Sequence, residues 1–243
     1  RCLMAVLFTF FGLAAGSYWP AHSAPWNVPA NFSELAETAG PAVVNIRVSQ
    51  TVQQRNPFAD DPFWQFFGGP NVPNGSRQVA SAGSGVIVDA EEGYILTNHH
   101  VVADADEIRV SLVDGEELDA EVVGSDPATD IALIRVDADN LIEMPIGNSE
   151  NVRVGDFVLA IGNPFGLGHT VTSGIVSALG QSWRTPAGGQ VDRYLHTDVV
   201  MYPGFSGGPL VDAKGQVQGL NTSALLRGVS LAVPVPTLQR VVE

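Results

Sequence analysis

Three short stretches of this sequence hold residue types that together could transfer an acyl group. The first is Gly204-Phe205-Ser206-Gly207-Gly208-Pro209-Leu210, where a hydroxyl sits among glycines. Glycine reaches backbone conformations closed to other residues, so the N–H groups of Gly204 and Ser206, with Phe205 between them, can converge on one point as an oxyanion hole. The second is Tyr94-Ile95-Leu96-Thr97-Asn98-His99-His100-Val101-Val102, an apolar strand running into a short turn that can present the His100 imidazole. The third places Asp130 directly before Ile131-Ala132-Leu133-Ile134, a run apolar enough to be buried on both faces. A carboxylate entering such a core needs a partner, because an isolated buried charge is very costly. Serine chemistry needs a nucleophile, a base, a carboxylate that holds the base in the right tautomer, and oxyanion donors. Ser206, His100, Asp130 and the Gly204-Phe205-Ser206 backbone supply candidates for all four.

Each stretch also has a plainer reading: a glycine-rich turn, a structural histidine, a carboxylate capping a strand. Asp126, before Pro127, fits the turn role better than Asp130 does. His99 should point away from His100, since adjacent residues leaving a strand diverge, so a metal pair is not expected there. His169 and His196 read as structural. The serine heptapeptide also matches G-x-S-x-G, the elbow of another hydrolase fold in which histidine follows serine. All five histidines, at 22, 99, 100, 169 and 196, precede Ser206, so that reading fails on order.

Composition narrows the field further. A net charge of −14 over 243 residues opposes binding to nucleic acid or anionic membranes, which needs clustered Lys and Arg. The acidic runs at Asp104-Ala105-Asp106-Glu107 and Asp114-Gly115-Glu116-Glu117 lack regular calcium-ligand spacing and read as solvated turns. The single cysteine, Cys2, permits no intrachain disulfide and excludes thiol catalysis outside the extreme N-terminus.

The elements that must position these residues are strands. Apolar, β-branched runs fall near 42–50, 82–89, 94–97, 108–113, 117–124 and 131–136, and again near 156–162, 170–180, 193–197, 208–212, 216–222 and 229–233. No helical period separates them, so the class is all-β, and six strands on either side of Gly147-Asn148-Ser149-Glu150 suggest two similar barrels. The first is expected over 31–145 and the second over 146–243. Asn31 and Glu34 open a short N-terminal helix, and apolar residues at 235, 238, 241 and 242 form a C-terminal one that stops abruptly, as if the chain continued. A Phe- and Pro-rich insertion fills 51–80. Residues 1–30 carry the order of a secretory signal or a short membrane anchor, which places the rest outside the cytoplasm. The chain starts without Met, so residues are expected to precede Arg1.

Taken together, Thr97 to Val102, Asp126 to Leu133 and Gly204 to Leu210 resemble the high-temperature-requirement (HtrA, or DegP-like) serine proteases, over about residues 32 to 243. Gly83-Ser84-Gly85, Ile161-Gly162-Asn163-Pro164-Phe165-Gly166 and Gly219-Leu220-Asn221-Thr222 add to the match. The resemblance implies a chymotrypsin-like double six-stranded β-barrel and degradation of unfolded or misfolded polypeptides in the periplasm or cell envelope. It also implies a trimer, no cofactor, an activation loop at 51–80 and a PDZ domain after the protease. Two departures stand out. Phe205 replaces the Asn that members generally carry before the serine, and the loop after Asn221 is shorter and lacks the usual Gly-Phe-Ala-Ile-Pro ending. The specificity pocket is expected to involve Met201, Tyr202, Asn221, Thr222 and Ser223, and to take small or medium aliphatic residues. An alternative is a latent protease-fold module that binds peptides as a chaperone or regulator.

Overall fold

Strict alternation along the strands decides which barrel each face lines. On strand β1 (Val43–Gln54), Val44, Ile46 and Val48 join one buried cluster, while Val43 turns to another. On β6 (Ile131–Val136), Ala132, Ile134 and Val136 enter that same first cluster, whereas Ile131 and Leu133 enter the second. A strand with apolar residues on both faces is therefore sandwiched between a barrel interior and a second core.

The computed structural model describes residues 31–54, 75–166, 168–184, 190–222 and 230–242. The expected signal or anchor at 1–30, most of the 51–80 insertion and Ser223 lie outside them. Strands β1, β2 (Gly75–Asp89), β3 (Tyr94–Thr97), β4 (Glu107–Ser111), β5 (Glu117–Asp126) and β6 close into one barrel in the order β1-β2-β3-β6-β5-β4. Strands β7 (Phe157–Gly162), β8 (Thr170–Arg184), β9 (Gln190–Thr197), β10 (Pro209–Asp212), β11 (Val217–Thr222) and β12 (Ser230–Pro234) close into another, in the order β10-β11-β12-β9-β8-β7. All the ladders within both barrels are antiparallel. The fold is a pair of closed six-stranded barrels, the double barrel that the strand count implied.

Each barrel has its own interior: Val44, Ile46, Ile95, Val110 and Ile134 in the first, and Val158, Ala160, Leu195, Phe205 and Leu210 in the second. The third core, with Leu96, Ile131, Leu159, Ile161, Tyr194, Leu220 and Val233, joins residues of both barrels. Helix α1 (Ser33–Ala39) and helix α3 (Val235–Val242) cap this core, with Val235 and Leu238 buried.

Three local differences from the sequence reading have physical causes. β1 and β2 pair out to Gln54 and Gly75, past where the apolar alternation fades, because backbone pairing carries the ribbon on without it. The Asn31 side chain accepts the Ser33 N–H at 3.0 Å, one residue ahead of the helix's actual N-cap at Phe32. His99–Val102 is a short helix, α2, not a simple turn, so the two histidines diverge by a helical step. The acidic turns are tied down by nearby groups: the Thr51 hydroxyl and then its N–H, the latter at 2.6 Å, bond to the Asp106 carboxylate and lower its pKa, and Glu107 pairs with Arg109.

Candidate active site

Barrel one assembles its polar pair around a backbone conformation that few residues tolerate. Asp126 turns the chain by accepting the Ala128 N–H at 2.9 Å and the Thr129 hydroxyl at 2.8 Å. Asp130 follows at φ 61, a left-handed conformation that Asp and Asn enter more readily than other residues with a Cβ. In this pose its carbonyl accepts the His99 N–H at 3.1 Å and the Asn98 side-chain amide at 2.9 Å. Its carboxylate, 3% exposed, accepts the His100 N–H at 3.0 Å and lies 2.9 and 2.8 Å from His100 Nδ1 through its two oxygens. The Thr222 hydroxyl of β11 donates to the same carboxylate at 3.2 Å. A buried carboxylate with these donors has the partners its burial demands. An acceptor at Nδ1 selects the Nδ1–H tautomer and turns Nε2 outward as a base.

Barrel two offers the serine on a double turn. The Phe205 N–H donates to the Tyr202 carbonyl at 3.0 Å, and the Gly208 N–H to the Phe205 carbonyl at 3.0 Å. Gly204 at φ 92 and Gly207 at φ 84 occupy the third positions of these turns, where only glycine sits without strain. A side chain at Gly207 would run into the Ser84 carbonyl and the Thr97 hydroxyl, which shows how closely the serine loop lies on the strand leading to His100. The Gly207 N–H donates to the Asn221 carbonyl, and Asn221 Nδ2 to the Pro209 carbonyl at 2.9 Å.

The residues expected at the oxyanion hole and the pocket make the following contacts. The Phe205 amide is committed to the Tyr202 carbonyl. The Phe205 ring is fully buried in barrel two, 5.9 Å from Tyr202, in space that Gly162 leaves by having no side chain. Asn221 and Thr222 are 0% and 1% exposed, with side chains spent on Pro209 and Asp130, so neither lines a pocket with its side chain. Met201 packs beside the Phe205 cluster, and Tyr202 is half-exposed.

His99 Nδ1 lies 2.6 Å from the Ser125 hydroxyl, and His169 Nε2 lies 3.1 Å from the Val43 carbonyl with its ring against Gly40. Burial lowers the pKa of His196. Tyr194 is fully buried with its hydroxyl unpartnered among the described residues, and burial first, then the Asp130 charge, pushes its pKa up. Among the described residues no group of His, Cys, Asp and Glu is arranged to hold a metal ion.

Sequence reasoning missed Ser84, which touches the serine loop, and the link from Thr222 to Asp130. A signal for the first exists in Gly83-Ser84-Gly85, because glycines inside a strand mark close approach of another backbone.

Residues 83–220 match the model of the trypsin-like peptidase domain. A "probable periplasmic serine endoprotease DegP-like" from Halomonas elongata is 45% identical over 235 residues, covering 88% of this chain and 49% of that protein. The chain belongs to the DegP-like, trypsin-type serine endopeptidases. A "putative serine protease HhoB" from Synechocystis shares 44% identity over 218 residues, covering 87% of this chain and 52% of its own. The solved structure of the HtrA-type protease AlgW with a decapeptide superposes with a TM-score of 0.68 at 41% identity, over 87% of this chain and 67% of that one. A variant of AlgW with a decapeptide gives a TM-score of 0.76 at 40% identity, over 87% and 65%. The DegP-like chain thus spans about half the length of the curated relatives it matches.

Proposed function

We propose that this chain hydrolyses peptide bonds of unfolded polypeptides through Ser206, His100 and Asp130. The observation that carries the reading is the buried Asp130 carboxylate holding His100 Nδ1 through both oxygens while taking the Thr222 hydroxyl. Ser206 Oγ attacks the scissile carbonyl carbon as its proton passes to His100 Nε2, and Asp130 stabilises the resulting imidazolium. The carbonyl oxygen becomes an oxyanion facing the Gly204 and Ser206 amides. Collapse returns the proton from His100 to the leaving amine and leaves an acyl-enzyme on Ser206. Water, deprotonated by His100, then releases the acid.

Small or medium aliphatic residues are the proposed preference, beside Met201 and Tyr202. The relatives named as periplasmic endoproteases support work in the periplasm or envelope, and the peptide-bound AlgW structures support polypeptide substrates. Residues 1–30 are proposed to act as export signal or anchor, and a trimer as the working assembly. A latent, peptide-binding module drew its support from the bulk of Phe205 beside the serine and from the altered loop after Asn221, of which residues 223–229 lie outside those described. That bulk lies inside barrel two, which favours the active reading.

Casein digestion by the chain beside its Ser206→Ala variant, with cleavage sites read by mass spectrometry, tests the proposal. Digestion that disappears in the variant is expected, with cuts after aliphatic residues. Absence of digestion by either protein would favour the latent module.

A further inference from the structure

Ser84 lies on β2 of barrel one and is fully buried. Its hydroxyl donates to the Gly204 carbonyl at 2.6 Å and accepts the Asn163 N–H at 2.9 Å. Its own N–H donates to the Ser206 carbonyl at 2.8 Å, and its carbonyl accepts the Thr97 hydroxyl at 2.8 Å. Three of these four bonds cross into barrel two. The neighbours make the approach feasible: a side chain at Gly83 would lie 2.7 Å from Val101 and 3.2 Å from the Ser206 carbonyl. Asn45 Nδ2 ties the Asn163 carbonyl at 2.7 Å from the same side.

The hydroxyl acts at the joint where the serine loop turns most easily. Pro203 has its φ fixed by its ring, whereas Gly204 has no side chain to restrain it and sits at φ 92. The Gly204–Phe205 peptide is held at both ends, its carbonyl by Ser84 and its N–H by Tyr202. A peptide unit is planar, so two bonds on opposite sides fix its orientation. The Gly204 and Ser206 N–H groups lie one residue to either side of that plane. Without the Ser84 hydroxyl, the Tyr202 bond alone would restrain it among the described residues.

We propose that Ser84 is a positioning residue: its hydroxyl is the latch through which barrel one sets the oxyanion donors of barrel two. The catalytic consequence rests on the proteolytic reading above. A packing role would make Cys equivalent to Ser at this position, since the two are close in size. A latch requires a strong donor, and a thiol is a weak one.

The test compares the parent chain with Ser84→Ala and Ser84→Cys, using a peptide substrate, a peptide boronate and amide hydrogen exchange over residues 200–208. Ser84→Ala is expected to lose about 10²-fold in kcat, the scale of a displaced oxyanion donor, with KM within about threefold. Boronate affinity should fall by a similar factor, exchange at Phe205 and Ser206 should accelerate, and Ser84→Cys should fall between parent and Ala. The latch is overturned by an unchanged kcat, by Ser84→Cys matching the parent, or by kcat, KM and thermal midpoint falling together. Hydrogen exchange separates the two readings. Faster local exchange in Ser84→Ala with an inactive parent keeps the latch and sinks the proteolytic reading, whereas an active parent with unchanged exchange and kcat does the reverse.

Discussion

The two barrels share a strand order but hold their functional residues in different ways. Barrel one builds His100 and Asp130 almost unaided: the left-handed Asp130, the α2 amides and the Asn98 amide lie within 33 residues of one another. Barrel two carries Ser206 on a loop whose shape depends on glycines at positive φ and on Ser84 from the other barrel. The proposed base and carboxylate are therefore a local construction, whereas the proposed nucleophile sits on a loop that is hydrogen-bonded to both barrels.

Breaking the barrel-one pair should give the largest effect. Asp130→Asn keeps the size but presents an amide to His100 Nδ1, and kcat should drop about 10⁴-fold, as expected when a triad loses its tautomer control. The near-ultraviolet spectrum should stay that of the parent, and steady-state kinetics checks the rate.

Breaking the barrel-two turn should cost less in rate and more in structure. Gly207→Ala adds a side chain at φ 84 against the Ser84 carbonyl and the Thr97 hydroxyl. A loss of about 10²- to 10³-fold in kcat is expected, together with about 1–3 kcal/mol or more of stability from backbone strain. Urea titration reads the second quantity.

Thr222→Val sharpens the comparison, because it removes the one side-chain bond that barrel two makes to the Asp130 carboxylate among those described. With His100 N–H and Nδ1 still in place, kcat should fall about 10- to 10²-fold, in line with the ~1.5–3 kcal/mol of a bond to a charged group. The smallest change is expected from Tyr194→Phe in the core between barrels. Its phenol is buried and unpartnered among the described residues, so removal should leave kcat unchanged and raise the thermal midpoint by about 1–3 °C. Burial favours the neutral phenol in the fold, so the unfolded chain gives up that proton first. The parent should therefore lose stability as pH rises above about 10, and the variant should lose less.

The strands and the His, Asp and Ser stretches were legible because they are local patterns. Alternation on β6 marks Ala132 and Ile134 against Ile131 and Leu133, and glycines flank Ser206 in the chain itself. What escaped reading depends on partners far away in sequence. Ser84 meets Gly204 across 120 positions and Thr222 meets Asp130 across 92, and no period or spacing encodes such meetings. The resemblance puts the loop after Asn221, with the 199–203 segment, at a pocket wall. β11 is buried on both faces, and the Asn221 and Thr222 side chains turn inward to Pro209 and Asp130. The bulk of Phe205 suggested obstruction only while the space beside Gly162 was unknown.

The most direct test is the rate at which a fluorophosphonate labels Ser206, measured for the parent and for His100→Ala. Fast, single-site labelling that mass spectrometry locates at Ser206, and that collapses in the variant, is the predicted result. Labelling that is absent, or equally fast without the His100 imidazole, would contradict an assembled and activated serine.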